Sequence, residues 1–191
     1  MRTTTKQKNS GFTIIEMMVA LALFTIVMTI ATGSFLSLIG ASSQLQGEQT
    51  VMTSMSFALD NMTREIRTGI HYYCWNDAAG NDPDWTVKDC PGGAKEFSFV
   101  DTSSQKRVSY SFENDELVRR KEGNDTPESI LSSDVKLESV KFYVTGSKPL
   151  SEGTNIEQPT VTIQIKAQDP ADSSGTTYIL ETTVTQRELD I

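Results

Sequence analysis

The reading of this chain turns on residues 11–40, GFTIIEMMVALALFTIVMTIATGSFLSLIG. The stretch is apolar almost throughout, yet Glu16 stands near its start. A carboxylate in a membrane-length span costs roughly 2.5–3.5 kcal/mol at the centre and less near an end. Glu16 therefore needs either a partner or a place at the membrane edge. From Phe12 to Ile39 the run exceeds the roughly 20 residues with which a helix crosses a bilayer core. Its flank, MRTTTKQKNS, holds Arg2, Lys6 and Lys8 and no acid, which predicts a cytoplasmic N-terminus with the remainder outside. A cleavable secretory signal has an apolar region of about 7–15 residues that ends in a small-x-small site. Here the run is longer, and its signal-like small residue, Gly11, comes before it. A plain signal anchor explains length and orientation but gives Glu16 no purpose.

The segment Gly-Phe-Thr-Ile-Ile-Glu at 11–16, after a short basic leader and before an apolar helix, resembles the prepilin cleavage motif of type IV pilins and type II secretion pseudopilins. The resemblance implies that a prepilin peptidase cuts between Gly11 and Phe12 and methylates the new N-terminal Phe12. It also implies that Glu16 occupies the family's acidic position. The freed amine lies four residues from Glu16, and an opposite charge nearby favours an ionised carboxylate and offsets its desolvation. In such filaments the amine is supplied by a neighbouring subunit, so Glu16 becomes a register device. The competing reading is a carboxylate that snorkels to the cytoplasmic interface.

Beyond Gly47, Met52, Met55, Leu59, Met62 and Ile66 recur at spacings of three and four and draw one apolar stripe on a helix. Asp60, Arg64, Glu65 and Arg67 fall off the stripe, and Asp60 and Arg64 form a favourable acid-first pair. Gly69 is the expected C-terminal stop. A single helix from Thr13 to Thr68 would run roughly 80 Å at 1.5 Å per residue. Its outer half would pack its stripe on a globular domain, although a Met-rich stripe also suits a promiscuous groove. Gly33, Gly40 and Gly47 recur every seven residues, which fits either close helix–helix approach or a segment that unwinds locally.

Residues 70–95 are dense in Gly, Pro, Asn and Asp and read as an irregular loop region. Cys74 and Cys90 are the only cysteines, and outside the membrane they are expected to pair, with a gain of about 3 kcal/mol for a loop of this size. Zinc lacks ligands, because His71 is the lone histidine. Asp77, Asn81, Asp82 and Asp84 gather oxygen ligands that suit calcium, but turn-forming residues account for them equally. From Glu96 onward the period becomes two: EFSFV (96–100), RVSYSF (107–112), ELVRRK (116–121), VKLESVKFYV (135–144), TVTIQIKA (160–167) and YILETTVTQR (178–187). SSQK, END and DPADSSG supply turns, and 145–159 reads as a polar loop. This predicts an antiparallel meander with one buried face that receives the helical stripe.

The expected fold class is therefore α+β. The expected organisation is a leader (1–11), a transmembrane and assembly helix (12–39), its amphipathic continuation (40–69) and a loop-and-sheet domain (70–191). Helix, loop and antiparallel sheet are also what the pilin resemblance implies. FALDNMTREIRTG (57–69) and the late FYV, VTIQI and TTVTQR segments are similar to the larger minor subunits, the J class of pseudopilins and the W class of minor pilins.

The sequence shows no catalytic constellation: any triad would have to centre on His71, and no phosphate-binding loop occurs. The formal charge of −8 is a poor match for nucleic acid. Arg119-Arg120-Lys121 is the one dense basic run; it reads as a solvated strand end, with Arg120 on the opposite face from its neighbours. Expected partners are prepilin peptidase, other pilin or pseudopilin subunits, an inner-membrane assembly platform and membrane lipid. The expected location is the cytoplasmic membrane, single-pass, and then a pilus or pseudopilus. The other functional readings are a membrane-anchored binding module with a ligand surface on 70–95 or 145–159, as in a tip adhesin or DNA-capture subunit, and a plain signal-anchored domain.

Overall fold

The computed structural model describes residues 11–76, 87–133, 135–148, 157–172 and 175–187. Among the described residues one long helix, α1 (Ile14–Arg67), precedes nine strands. The chain divides into two units, 1–45 and 46–191. In the first, helix α1 is exposed on every side. Four of its hydroxyls are satisfied within the helix: Thr25, Thr29, Thr32 and Ser34 each donate to a carbonyl three or four residues earlier, at 2.8–3.0 Å. Polar side chains can therefore sit in an apolar helix with no orphaned donor.

In the second unit α1 buries Val51, Met55, Ala58, Leu59, Met62 and Ile66. The three-and-four spacing aims these side chains at one side, as the stripe predicts. Met52, expected in the stripe, is only half-buried, and Val51 takes its place.

The strands form two antiparallel sheets rather than the single expected meander. Sheet A has the order β1-β3-β4-β5-β6, from β1 (Gly69–Trp75), β3 (Glu96–Asp101), β4 (Lys106–Glu113), β5 (Glu116–Lys121) and β6 (Asn124–Ser129). Sheet B has the order β2-β7-β8-β9, from β2 (Cys90–Ala94), β7 (Lys136–Thr145), β8 (Thr160–Gln168) and β9 (Thr177–Thr185). All six strands read from the period of two are present, and β1, β2 and β6 are additional. The 70–95 region is thus not all loop, because its aromatic start, IHYYCW, pairs with β3. The turn-forming residues that masked this strand begin only at Asn76. After β6 the chain leaves sheet A, so β7 pairs with β2 and starts the second sheet.

The inner faces of both sheets share the core with the helix. Phe97 of β3 stacks on Phe142 of β7 at 5.6 Å. In β8, Val161, Ile163, Ile165 and Ala167 are buried while alternate residues are not. The β4–β5 hairpin turns on Asn114 and Asp115, both with positive φ, as a two-residue type I′ turn requires.

Gly69 is not a left-handed helix stop. It opens β1, and a Cβ there would lie 2.2 Å from the Phe99 ring, so the absent side chain admits that ring. The helix ends instead on tertiary partners. The Tyr72 hydroxyl donates to the Ile66 carbonyl at 2.6 Å, and the Arg187 N–H donates to the Arg67 carbonyl at 2.8 Å. The Thr102 hydroxyl donates to the Thr68 carbonyl at 2.9 Å. These fill acceptor positions that a helix C-terminus leaves open.

Candidate processing and assembly site

Gly11, Phe12 and Thr13 precede the first turn of α1 and are non-helical and exposed; Phe12 is 81% exposed. A Cβ at Gly11 would meet nothing within 4 Å, so space within the chain does not explain a glycine there. The Thr13 carbonyl accepts the first helical bond, from Met17 N–H at 3.1 Å. Thr13 Oγ1 accepts from the Glu16 N–H at 3.3 Å, and a Glu16 carboxylate oxygen accepts from the Thr13 N–H at 3.4 Å. This is a reciprocal capping box, the Thr-x-x-Glu pattern that satisfies two open donors at a helix start. Sequence reasoning missed it, although Thr13-Ile-Ile-Glu16 carries the signature. Glu16 thus has a partner within its own chain, and it stands at the positive end of the helix dipole, which favours an anion. The expected processing residues, Gly11 and Phe12, and the expected assembly residue, Glu16, lie together around this cap.

In the second unit, Cys74 of β1 is bonded to Cys90 of β2, with Cα atoms 6.3 Å apart. The bond ties the first strand of sheet A to the first strand of sheet B. The calcium candidates Asp77, Asn81, Asp82 and Asp84 lie outside the described residues, as do residues 149–156 of the 145–159 loop. His71 is exposed, with positive φ, at the β1 bulge where the β1–β3 register shifts.

The basic run is not a solvated strand end. Each of its cations is paired with an acid. Arg119 grips Glu65 of the helix with Nε at 3.1 Å and Nη2 at 2.8 Å, and Tyr110 donates to the same carboxylate at 2.6 Å. Glu128 adds a further contact to Arg119 at 3.3 Å. Burial and the neighbouring Glu65 carboxylate push the Tyr110 hydroxyl well above the usual tyrosine range. Lys121 meets Asp101 at 3.4 Å. The hydroxyls of Ser104 and Ser103, together with Lys121, hold the Asp101 carboxyl far below the usual carboxylate range, against its partial burial. Arg120 points to the other face, as alternation requires, and binds Glu113 and Ser111 Oγ. That arginine holds the Glu113 carboxyl below its usual range. Each of these three cations is thus held by a carboxylate.

The outer face of sheet A carries a groove of about 970 Å³ whose lining includes Trp75, Lys95, Glu96, Arg107, Arg120 and Glu122. Arg107 donates to Ser98 Oγ at 2.9 Å, and burial lowers its pKa against the opposing pull of Glu122. Neither this groove nor the Glu65–Arg119–Tyr110 cluster was evident from the sequence. Both are built from residues brought together across strands, with no local motif.

Residues 6–32 match the family model described as the prokaryotic N-terminal methylation motif. The match spans Lys6 and Lys8 of the basic flank, the Gly11–Phe12 step, the cap and the first part of the exposed helix. No curated protein and no solved structure matches the chain.

Proposed function

We propose that this chain is a type IV pilin-like subunit, made as a precursor, cleaved after Gly11 and assembled into a filament through its N-terminal helix. The observation that carries this reading is the methylation motif at residues 6–32, set on the capped, exposed portion of a helix that is long and apolar enough to cross a membrane. The motif implies processing by prepilin peptidase, methylation of Phe12 and assembly with other pilin subunits. The α+β architecture agrees with it. The role is structural, with no turnover of substrate.

In this reading residues 1–11 are the leader, 12–39 the membrane and assembly segment, 40–69 its amphipathic continuation and 70–191 the extracytoplasmic domain. The subunit waits in the cytoplasmic membrane with its N-terminus inside, next to an inner-membrane assembly platform. Its size suits a minor pilin or pseudopilin of a pilus, a type II secretion system or a DNA-uptake machine. The capping box refines the role of Glu16. Before cleavage its carboxylate serves its own helix start. After cleavage the adjacent Phe12 amine becomes cationic, and a neighbouring subunit's amine competes for the same carboxylate.

N-terminal sequencing of the protein extracted from membranes tests this reading. A mature chain beginning at methylated Phe12, lost in Gly11→Ala or a bulkier variant, is the expected result. A functional chain that begins at Met1 overturns it. Glu16→Ala is expected to insert and fold but to enter filaments poorly, whereas normal incorporation removes the register role.

A second reading, a membrane-anchored binding module, is favoured by the groove on sheet A, because Trp75, Asn76 and Lys95 of its lining belong to the 70–95 region. Binding of a glycan or DNA that is abolished by Trp75→Ala and Arg107→Ala would support it over a purely structural role.

A further inference from the structure

The sheets end in four edge strands, which differ in how they are closed. Strands β1 and β2 are held to each other by the Cys74–Cys90 bond, and Tyr73 of β1 bridges to Lys88. Strand β6 carries Pro127. Pro127 lies where the β5–β6 register shifts, between the Arg119–Glu128 and Lys121–Asn124 pairs. Proline and an irregular register on an edge strand are among the ways in which edges are protected from further pairing.

Strand β9 has none of these protections. It is nine residues long, TYILETTVT, without proline or lysine. All nine of its residues pair with β8 with no register shift, while β1–β3, β2–β7, β5–β6 and β7–β8 each contain one. The Gln186 N–H donates to the Pro159 carbonyl at 2.9 Å, and this sets the phase of the ladder. Tyr178, Leu180, Thr182 and Val184 then turn their backbone groups toward β8. Thr177, Ile179, Glu181, Thr183 and Thr185 turn theirs outward, and among the described residues no strand lies beyond them. Those same five residues are exposed, Ile179 to 53%. A long, regular, β-branched edge is a template for strand addition.

The charge on this edge selects among occupants. Glu181 is the sole ionisable carboxylate or cation on β9 and stands at its centre. A second copy paired antiparallel about that centre would set Glu181 directly against itself, which destabilises a cross-strand pair. A strand with a cation at that position would instead form a favourable pair. We infer that the outer edge of β9 is a strand-addition site for an extended, β-branched segment of another protein carrying a lysine or arginine opposite Glu181. This inference does not depend on the filament reading, since it concerns the sheet domain alone.

The test uses the full-length chain in detergent and a nonapeptide, acetyl-Thr-Val-Thr-Val-Lys-Val-Thr-Val-Thr-amide, N-methylated on alternate amides so that it pairs along one edge only. Residue-resolved amide hydrogen exchange is followed. Ile179, Glu181 and Thr183 are expected to exchange freely alone and to slow by about tenfold or more with the peptide, while Leu180 and Thr182 stay protected throughout and report an intact fold. A glutamate-centred peptide is expected to have no effect on the native chain but to protect Glu181→Lys. Absence of slowing with the lysine peptide, or equal slowing with both peptides, overturns the inference. Protection that is present without peptide and grows with protein concentration also overturns it, by making the occupant a second copy.

Discussion

The two portions of helix α1 share one secondary structure and differ in everything that holds it. In residues 14–45 no side chain is buried, the hydroxyls of Thr25, Thr29, Thr32 and Ser34 return to their own backbone, and the start is fixed by the Thr13–Glu16 box. From Gln46 to Arg67 an apolar stripe is buried, and the end is fixed by Tyr72, Thr102 and Arg187. The first portion is a helix that satisfies itself, as an apolar solvent demands. The second takes its stability from tertiary packing, as helices in water generally do. Glu16 and Glu65 make the same contrast: one carboxylate serves its own turn, the other crosses to Arg119 and Tyr110 on a sheet.

The largest test of this contrast is a truncation in each portion. Met62→Ala is expected to cost about 2–5 kcal/mol in denaturant unfolding of the sheet domain, because Met62 is fully buried. Leu23→Ala, in the exposed portion, is expected to leave that transition unchanged. Equal effects would erase the distinction. Next in size, Cys74→Ser with Cys90→Ser is expected to cost about 2–5 kcal/mol, toward the lower end because the loop is short. Reductant should lower the melting temperature of the native chain and leave that of the double variant unchanged.

Glu65→Gln is expected to cost about 1–3 kcal/mol, as it strips the charge from a cluster holding Arg119. Glu16→Gln should leave the unfolding of the sheet domain unaffected. The same cluster predicts a pH dependence. Because the Tyr110 pKa is raised on folding, its contribution is intact below the ordinary tyrosine pKa of about 10 and declines as pH rises past it. Tyr110→Phe should flatten that alkaline slope. Asp101 works in the opposite sense. Its lowered pKa gives stability above about pH 4 that is lost on acidification, and Asp101→Asn should flatten the acid slope.

The smallest effect concerns Gly47. A Cβ there would lie 1.8 Å from an Asp169 carboxylate oxygen, so the glycine admits the β8–β9 turn against the helix. Gly47→Ala is expected to be near neutral, as a helix-propensity gain of about 1 kcal/mol is offset by displacing Asp169. With Asp169→Ala added, the gain should appear in full. Gly33 and Gly40 have open space around them and lie in the exposed portion, so Gly33→Ala and Gly40→Ala should leave the unfolding of the sheet domain unchanged.

The sequence made legible what is periodic. The apolar run, the stripe from Met55 to Ile66 and the alternation from Glu96 to Arg187 each repeat a chemical choice many times, so local noise averages out. What it hid is carried by single residues meeting at a distance. Strand β6, NDTPES, has no apolar alternation and a single β-branched residue, Thr126, and exists because β5 offers it an edge. The division into two sheets follows from where β7 goes after β6, a choice with no local signature. Glu65 looked like one of several exposed helix charges, and only the arrival of Tyr110 and Arg119 distinguishes it from Asp60, whose pairing with Arg64 was visible from spacing. The Thr13–Glu16 cap is the exception: it was local and readable, but the apolar context drew attention to the cost of the carboxylate instead of its reach.

The way helix α1 terminates has a mechanical meaning. The carbonyls at its end, from Ile66 to Thr68, are anchored to β1, to Arg187 beyond β9 and to the β3–β4 turn, while Glu65, the residue before them, clamps β5. Tension drawn along the helix axis is therefore shared among both sheets at once and must shear several ladders together. A sheet domain so tethered resists being peeled apart strand by strand.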